Sequence, residues 1–100
     1  MRVVLCNCPP SEAETLARTL VVEGLAACVN VIEGVKSFYL WDGALQEDLE
    51  HTLLIKVSED RMAALSDRIR DLHSYDTVEI VALGVDVELS DPAYVAWVRS

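Results

Sequence analysis

The amino-acid sequence predicts an α+β fold in which two helices pack on a four-stranded antiparallel sheet, in the order β-α-β-β-α-β, followed by one more helix. Three observations predict it: segments rich in β-branched and apolar residues, two stretches with apolar residues at helical spacing, and an Asp-Gly turn between two long strands. A chain of 100 residues is about the size of one domain with one hydrophobic core. We therefore expect a single domain over residues 1–100.

The first strand and the first helix meet at a pair of prolines. Residues Arg2–Cys8 form a mostly apolar run rich in valine, which is typical of a buried strand, and Pro9 ends it. Ser11 and Glu14 have the spacing of a capping box, in which each side chain accepts a backbone N–H of the first helical turn. Apolar residues then recur at helical spacing up to Gly24, so this segment is predicted to be an amphipathic helix.

The middle of the chain is predicted to be a long β-hairpin. The segment Ala27–Trp41 is rich in Val, Ile, Phe and Tyr, with Gly34 as a bend or bulge inside it. Asp42 and Gly43 supply the turn. The returning strand, Gln46–Val57, is polar in its first half and apolar in its second, so we expect the polar half to protrude.

The last part of the chain is predicted to add a helix, a strand and a short helix. Ser58 is placed to cap a helix that ends near His73 and buries one apolar face. The members of that face are Met62, Leu65, Ile69 and Leu72. Val78–Val87 is strand-like, and Asp91 with Pro92 resembles an N-cap and first helical residue.

This order of elements is that of the ferredoxin-like fold, in which both crossover helices cover one face of the sheet. The other face and the long hairpin are left open. Since two helices cannot bury a hairpin of this length, we expect neighbouring subunits to pair with its edges.

The composition excludes several classes of protein. Asp and Glu number 17 against 8 Lys and Arg, and the resulting charge of -9 repels phosphate backbones, so no nucleic-acid partner is expected. No apolar run approaches the roughly 20 residues that cross a bilayer. No membrane partner is expected, and the three cysteines indicate free thiols in the cytoplasm.

Several segments together resemble the CutA divalent-cation tolerance family. The matching residues, in chain order, are Leu25 to Ile32, then Ser37, Tyr39, Trp41 and Gly43, then Leu54, Ile55 and Lys56, then His73 and Tyr75, Glu79 and Ile80, and finally Tyr94 and Trp97. The resemblance covers nearly the whole chain and implies a tight homotrimer with interlocking hairpins and a role in divalent-cation tolerance and copper binding. It also implies likeness to the trimeric PII signalling proteins, so a regulatory scaffold is the alternative.

Two positions depart from the family's pattern. The family usually has His, Pro, Tyr where this chain has His73, Ser74 and Tyr75, and it commonly has a proline where this chain has Val78 before Glu79. Without these prolines, we expect a more flexible segment between helix and strand.

Cys6 and His73 are the predicted metal ligands. Thiolate suits Cu(I), imidazole suits copper or zinc, and the resemblance places Cys6 at the strand position of a copper-linked cysteine. Cys8 points to the same face as Cys6 and is a weaker candidate. The alternatives are that both thiols pack as small hydrophobes and that His73 only caps its helix. Cys28 is expected in the core.

Tyr39, Lys56, Tyr75 and Glu79 are predicted to line a cleft between subunits, where lysine and tyrosine would hold an anionic ligand and glutamate would orient it. The acidic residues Glu47, Asp48 and Glu50 could bind a hard cation, but a solvated strand or an inter-subunit ion pair explains them too. His51 is expected at the surface.

The sequence gives little support to an enzyme. It has no Gly-x-Ser-x-Gly elbow, no phosphate-binding glycine loop and no redox pair of cysteines. A thiol enzyme with Cys6 as nucleophile and His73 as base is the third hypothesis.

Overall fold

The computed structural model describes all residues from 1 to 100 and has the predicted order of elements. Four strands, β1 (Arg2–Cys8), β2 (Cys28–Trp41), β3 (Ala44–Val57) and β4 (Val81–Gly84), form one antiparallel sheet in the order β2-β3-β1-β4. The helices are α1 (Pro10–Val22), α2 (Met62–Leu72) and α3 (Pro92–Arg99). The α+β, ferredoxin-like prediction is confirmed.

The start of α1 differs from the predicted capping box. The N-cap is Pro9, without a side-chain cap, and the helix begins at Pro10 because proline is favourable in the first turn. The end follows the sequence: Gly24 has a positive φ of 74°, and the N–H groups of Gly24 and Leu25 bond to the carbonyls of Val21 and Leu20. This is a Schellman motif, which requires a left-handed residue that glycine adopts without strain.

The start of α2 also differs from prediction. Ser58 precedes a 3₁₀ turn (Glu59–Arg61), and its hydroxyl donates to the Asp60 carboxylate instead of capping α2. The helix ends before His73, as expected. On its predicted apolar face Leu65 and Ile69 are buried, whereas Leu72 at the end is 37% exposed.

The hairpin of β2 and β3 is built as the sequence predicts. Its turn has positive φ at both Asp42 and Gly43, the conformation that an Asp-Gly pair favours. Gly34 also has positive φ and lies at a register shift between Ile32 and Val35, so the predicted bulge is confirmed.

The predicted last strand is longer than the observed one. Strand β4 covers only Val81–Gly84, which pairs with the start of β1 up to Leu5. Residues 75–77 and 79 instead line a cleft with Asn7 near the end of β1, and Val85 packs against the cluster of Met1, Val95 and Val98. Asp91 caps α3 as predicted, since its carboxylate accepts the N–H of Tyr94 at 3.0 Å.

The core lies between the sheet and the two crossover helices. Its largest fully buried side chains come from every layer, and include Val4, Leu20, Leu53, Ile55, Leu65 and Ile69. A smaller cluster joins Met1 to Val95 and Val98 of α3. No helix is both long and apolar enough to cross a membrane.

Candidate functional site

The two predicted metal ligands, Cys6 and His73, lie around one backbone oxygen at the end of β1. The Nε2 atom of His73 is 2.8 Å from the carbonyl oxygen of Asn7. The Sγ atom of Cys6 is 3.9 Å from the same oxygen. Cys6 is fully buried and His73 is 7% exposed, so the fold brings the two side chains together below the surface.

The ring of His73 uses both nitrogens inside the chain. The backbone N–H of Tyr75 donates to Nδ1 at 3.1 Å, which makes Nδ1 the acceptor. The proton is therefore on Nε2 and is donated to Asn7. His73 joins the end of α2 to the end of β1, and its ring does not bond to the last carbonyls of α2.

The two thiols of β1 are held in the protonated form. Burial raises the pKa of Cys6 to about 12, with further contributions from Cys8 and then Glu79. Burial also raises the pKa of Cys8 to about 11, followed by the charges of Glu12 and Glu50. Because the thiolate is both the nucleophile and the metal ligand, neither thiol is activated at neutral pH.

Cys6 and Cys8 share the helix-covered face of β1, as their two-residue spacing predicts. Neither they nor any other His, Cys, Asp or Glu side chains form a group of three that could hold a metal ion in one chain. Cys28, expected in the core, is only half-buried.

A cleft of about 670 Å³ lies on the other side of Asn7, between the hairpin and the segment 74–79. It brings together Tyr39, Tyr75 and Glu79 of the predicted cleft. Asp48 and Glu50 of β3 and Asp76 add to the lining. The lining contains no Lys, Arg or His side chain.

The two tyrosines are each held by a carboxylate of β3. Tyr75 donates its hydroxyl to Glu50 Oε2 at 2.9 Å, and Tyr39 donates to Asp48 Oδ2. Burial, and then the bond to Glu50, raises the pKa of Tyr75 above its usual range, whereas the bond to Asp48 is the main cause of the raised pKa of Tyr39. Both hydroxyl protons are therefore firmly held.

Glu50 and Glu79 both line the cleft but differ in exposure, since Glu50 is buried and Glu79 is exposed. Glu50 is only 6% exposed, and the sequence-based alternative of a solvated strand is wrong for this residue. Partial desolvation and then the charge of Glu50 raise the pKa of Glu79. This shift shows that the two negative charges act on each other.

Lys56 is the predicted cleft residue that the chain places elsewhere. Its Nζ atom donates to Asn30 Oδ1 and lies 4.0 Å from Cys28 Sγ, toward the other end of β3. His51 is half-buried, with Nδ1 next to the backbone of Gly34. Neither residue lines the cleft.

Sequence reasoning grouped the acidic residues of β3 without separating its two faces. Asp48 and Glu50 face the cleft, whereas Glu47 is exposed and does not line it. The two-residue period of a strand was the available signal. Asn7 was missed altogether, since a lone asparagine at a strand end has no distinguishing pattern.

Comparison with known proteins identifies the family. The family model described as CutA1 divalent ion tolerance protein matches residues 2–100. This chain belongs to the CutA1 family. It is 42% identical to the divalent-cation tolerance protein CutA of Thermus thermophilus over 97% of this chain and 93% of that protein. It is 41% identical to a CutA homologue of Xenopus laevis over 92% of this chain, but it spans only 60% of the frog protein.

Solved structures agree with this assignment. The PII-like protein CutA of a Nostoc species superposes with a TM-score of 0.94 at 40% identity, covering 98% of this chain and 93% of that one. Relatives differ in location: the rice protein is named chloroplastic, and an Archaeoglobus fulgidus protein is called periplasmic.

Ser74, where the resemblance led us to expect a proline, is hydrogen-bonded to α1. The backbone N–H of Ser74 donates to Glu12 Oε1 at 3.2 Å, and its hydroxyl donates to Glu12 Oε2 at 2.6 Å. Proline has no N–H and could not make the first bond. The expected gain in flexibility is therefore opposed by two hydrogen bonds to a neighbouring helix.

Proposed function

We propose that this single CutA-like domain works as a homotrimer in divalent-cation tolerance and binds copper or another divalent cation through Cys6 and His73. The observation that carries the proposal is the meeting of the two side chains at the Asn7 carbonyl, directly behind an acidic cleft. A thiolate and an imidazole are donors that copper favours. The carboxylates of the cleft would raise the local concentration of cations.

Metal binding at Cys6 and His73 requires each side chain to give up a proton. The Cys6 thiol must lose a proton against a pKa of about 12, and the Nε2 proton of His73 must leave its bond to Asn7. Metal uptake should therefore release protons and strengthen as the pH rises. Within one chain no third ligand is in place, which favours an ion such as Cu(I) that soft donors select.

The test is an anaerobic Cu(I) titration of the reduced protein against a competing chelator. Cys6→Ser and His73→Gln should each weaken binding at least about tenfold. Cys28→Ser and His51→Gln are matched controls, since each removes the same chemical group outside the pair. Equal affinity in all four variants would show that Cys6 and His73 are not the ligands.

Trimer formation is supported by the apolar side chains that the hairpin leaves in solvent. Phe38, Leu40 and Trp41 are 60%, 71% and 57% exposed, and Leu45 and Leu49 of the facing strand are 64% and 60% exposed. So large an apolar surface is typical of an interface.

Further parts of the proposal are a cytoplasmic location and no nucleic-acid or membrane partner.

The proposal includes no enzymatic activity. A thiol enzyme with Cys6 as nucleophile would need a low pKa and an accessible sulfur. Cys6 has a pKa of about 12 and is fully buried, and the free nitrogen that a base needs is absent from His73. These facts count against Cys6 as a nucleophile and His73 as its base.

The second candidate function is a PII-like regulatory scaffold that takes a small molecule into the cleft. The size of the cleft and its aromatic residues favour it. The anionic ligand predicted from the sequence would need a positive charge from another subunit, since Lys56 lies outside the cleft of its own chain. A thermal-shift screen of small anions tests this. An anion that stabilises the wild type but not Lys56→Ala would support an anion-binding cleft that Lys56 of another subunit completes.

A further inference from the structure

The cleft contains a buried carboxylate group that the chain itself does not neutralise. Glu50 is 6% exposed, and its only hydrogen bond comes from the neutral hydroxyl of Tyr75 to Oε2. The other oxygen, Oε1, accepts no hydrogen bond from the chain. Since no fully buried side-chain oxygen lacks a partner, Oε1 is open to the cleft that Glu50 lines. None of the four ion pairs of the molecule includes Glu50. A positively charged group in the cleft would supply the ion pair that Glu50 lacks within its own chain.

The other polar groups of the cleft have the same preference. Asp48, Asp76 and Glu79 add three further carboxylates, and no basic side chain accompanies them. The hydroxyl protons of Tyr39 and Tyr75 are already donated to carboxylates, so neither tyrosine can donate to an anion. The charge and the hydrogen bonds of the cleft both select a cation that donates hydrogen bonds.

The shape and the walls of the cleft indicate an organic cation. A volume of about 670 Å³ is in the range of small-molecule sites and far exceeds one metal ion. The carboxylates do not converge into a metal-binding group of three. Tyr39 and Tyr75 supply aromatic rings, whose faces attract ammonium and guanidinium groups.

We propose that the cleft binds a small organic cation bearing ammonium or guanidinium groups, with Glu50 and Glu79 as its ion-pair partners and the rings of Tyr39 and Tyr75 as its walls. This inference rests on the regulatory-scaffold function and names its ligand class. It is independent of a metal at Cys6 and His73.

The experiment is isothermal titration of the assembled protein with four probes that share a four-carbon chain. The probes are 1,4-diaminobutane, agmatine, butane-1,4-diol and succinate. The first two should bind with a simple ratio per chain, and the neutral diol and the anion should not. A stronger signal from agmatine or from the diamine distinguishes guanidinium from ammonium as the recognised group.

Variants place the binding in the cleft. Glu50→Gln keeps the size of the side chain and should weaken cation binding at least about tenfold, because a charge-assisted bond is lost. Glu79→Gln, at an exposed position where folding is not at risk, should weaken it severalfold. Glu47→Gln removes the same charge from the same strand outside the cleft and should change the affinity less than about twofold.

The outcomes separate the two proposals. If succinate binds and the amines do not, the scaffold function stands and the ligand class is wrong. If neither binds, the inference is overturned, and the broader screen described above decides the scaffold function. Equal losses in Glu47→Gln and Glu50→Gln would show unspecific attraction to an acidic surface and would also overturn it.

Discussion

The two halves of the long hairpin differ in how far one chain can bury them. At the base, Leu53 and Ile55 alternate with half-buried neighbours and are fully buried under α1 and α2. Toward the tip, the same two strands continue with Leu40 and Leu45 opposite each other, 71% and 64% exposed. Backbone pairing continues to the turn, whereas side-chain burial does not. The base is a core that one chain completes, and the tip leaves apolar side chains exposed, where the proposed trimer would cover them.

The largest effect is expected at the base. Leu53→Ala should lower the free energy of unfolding by roughly 2–5 kcal/mol, because a fully buried leucine leaves a cavity. Urea unfolding at one fixed protein concentration measures it. Leu89→Ala is the control, since Leu89 is 86% exposed and its loss should change stability by less than about 0.5 kcal/mol. Similar losses in both variants would contradict the assignment of the core.

At the tip, a charge should break the assembly and leave the subunit folded. Leu40→Glu should reduce the molar mass in light scattering from about three chains toward one, since an unpaired charge is costly in an apolar interface. The far-ultraviolet circular dichroism should be unchanged. Val22→Glu, at a position 85% exposed at the end of α1, should remain assembled. A Leu40→Glu trimer of normal mass would show that the tip is not the interface.

The difference between buried and exposed parts of the sheet also predicts how fast the three thiols react. Cys6 and Cys8 lie in the completed core with raised pKa values of about 12 and 11, whereas Cys28 is half-buried at the start of β2. With iodoacetamide at about pH 8, Cys28 should be alkylated at least tenfold faster than either other thiol. Peptide mapping by mass spectrometry measures the rates. Fast labelling of Cys6 would revive the thiol-enzyme hypothesis.

The smallest effect is expected at the surface that joins the base of the sheet to α3. Hydrogen bonds from Arg99 and then from the N-terminal ammonium lower the pKa of Glu59 to about 2. A lowered pKa means that Glu59 stabilises the folded state above its ordinary pKa of 4.5 and loses this contribution as the pH falls toward 2.

The measurement is the difference in Tm between the wild type and Glu59→Gln. The wild type should be slightly more stable at about pH 6, and the difference should narrow as the pH falls from 4.5 toward about 2. Asp67→Asn is the control, because Asp67 and its partner Arg70 are 81% and 60% exposed. A difference that does not vary with pH would exclude the charge of Glu59 as the cause.

The elements that depend on neighbouring residues could be predicted from the sequence. The Asp42-Gly43 turn, the bulge at Gly34 and the Asp91 cap follow from local backbone preferences, and all three are confirmed. The errors at Ser11 and Ser58 are also local. The N-cap of α1 is Pro9, two residues before Ser11, and the N-cap of α2 is Arg61, three residues after Ser58. Helix starts that differ by so few residues are close in free energy.

The candidate site was predictable only in part. The CutA resemblance and the ligand chemistry singled out Cys6 and His73, which meet at Asn7. Side-chain chemistry singled out four cleft residues, and three of them, Tyr39, Tyr75 and Glu79, line one cleft. The sequence could not show that Lys56 lies outside the cleft of its own chain. The alternation of side chains along a strand predicts which face of the sheet a residue is on, but not how far it lies from the other cleft residues.

The sequence by itself determined the order of elements, the hairpin and the apolar faces, because these depend on periodicity and turn chemistry within a few residues. Only the tertiary structure decided that Glu50 is buried and that Tyr75, 25 residues away, donates to it. The same holds for the contact of His73 with Asn7, which are 66 residues apart. The charge of a site is set by groups that the fold brings together over such separations, and no local pattern records them.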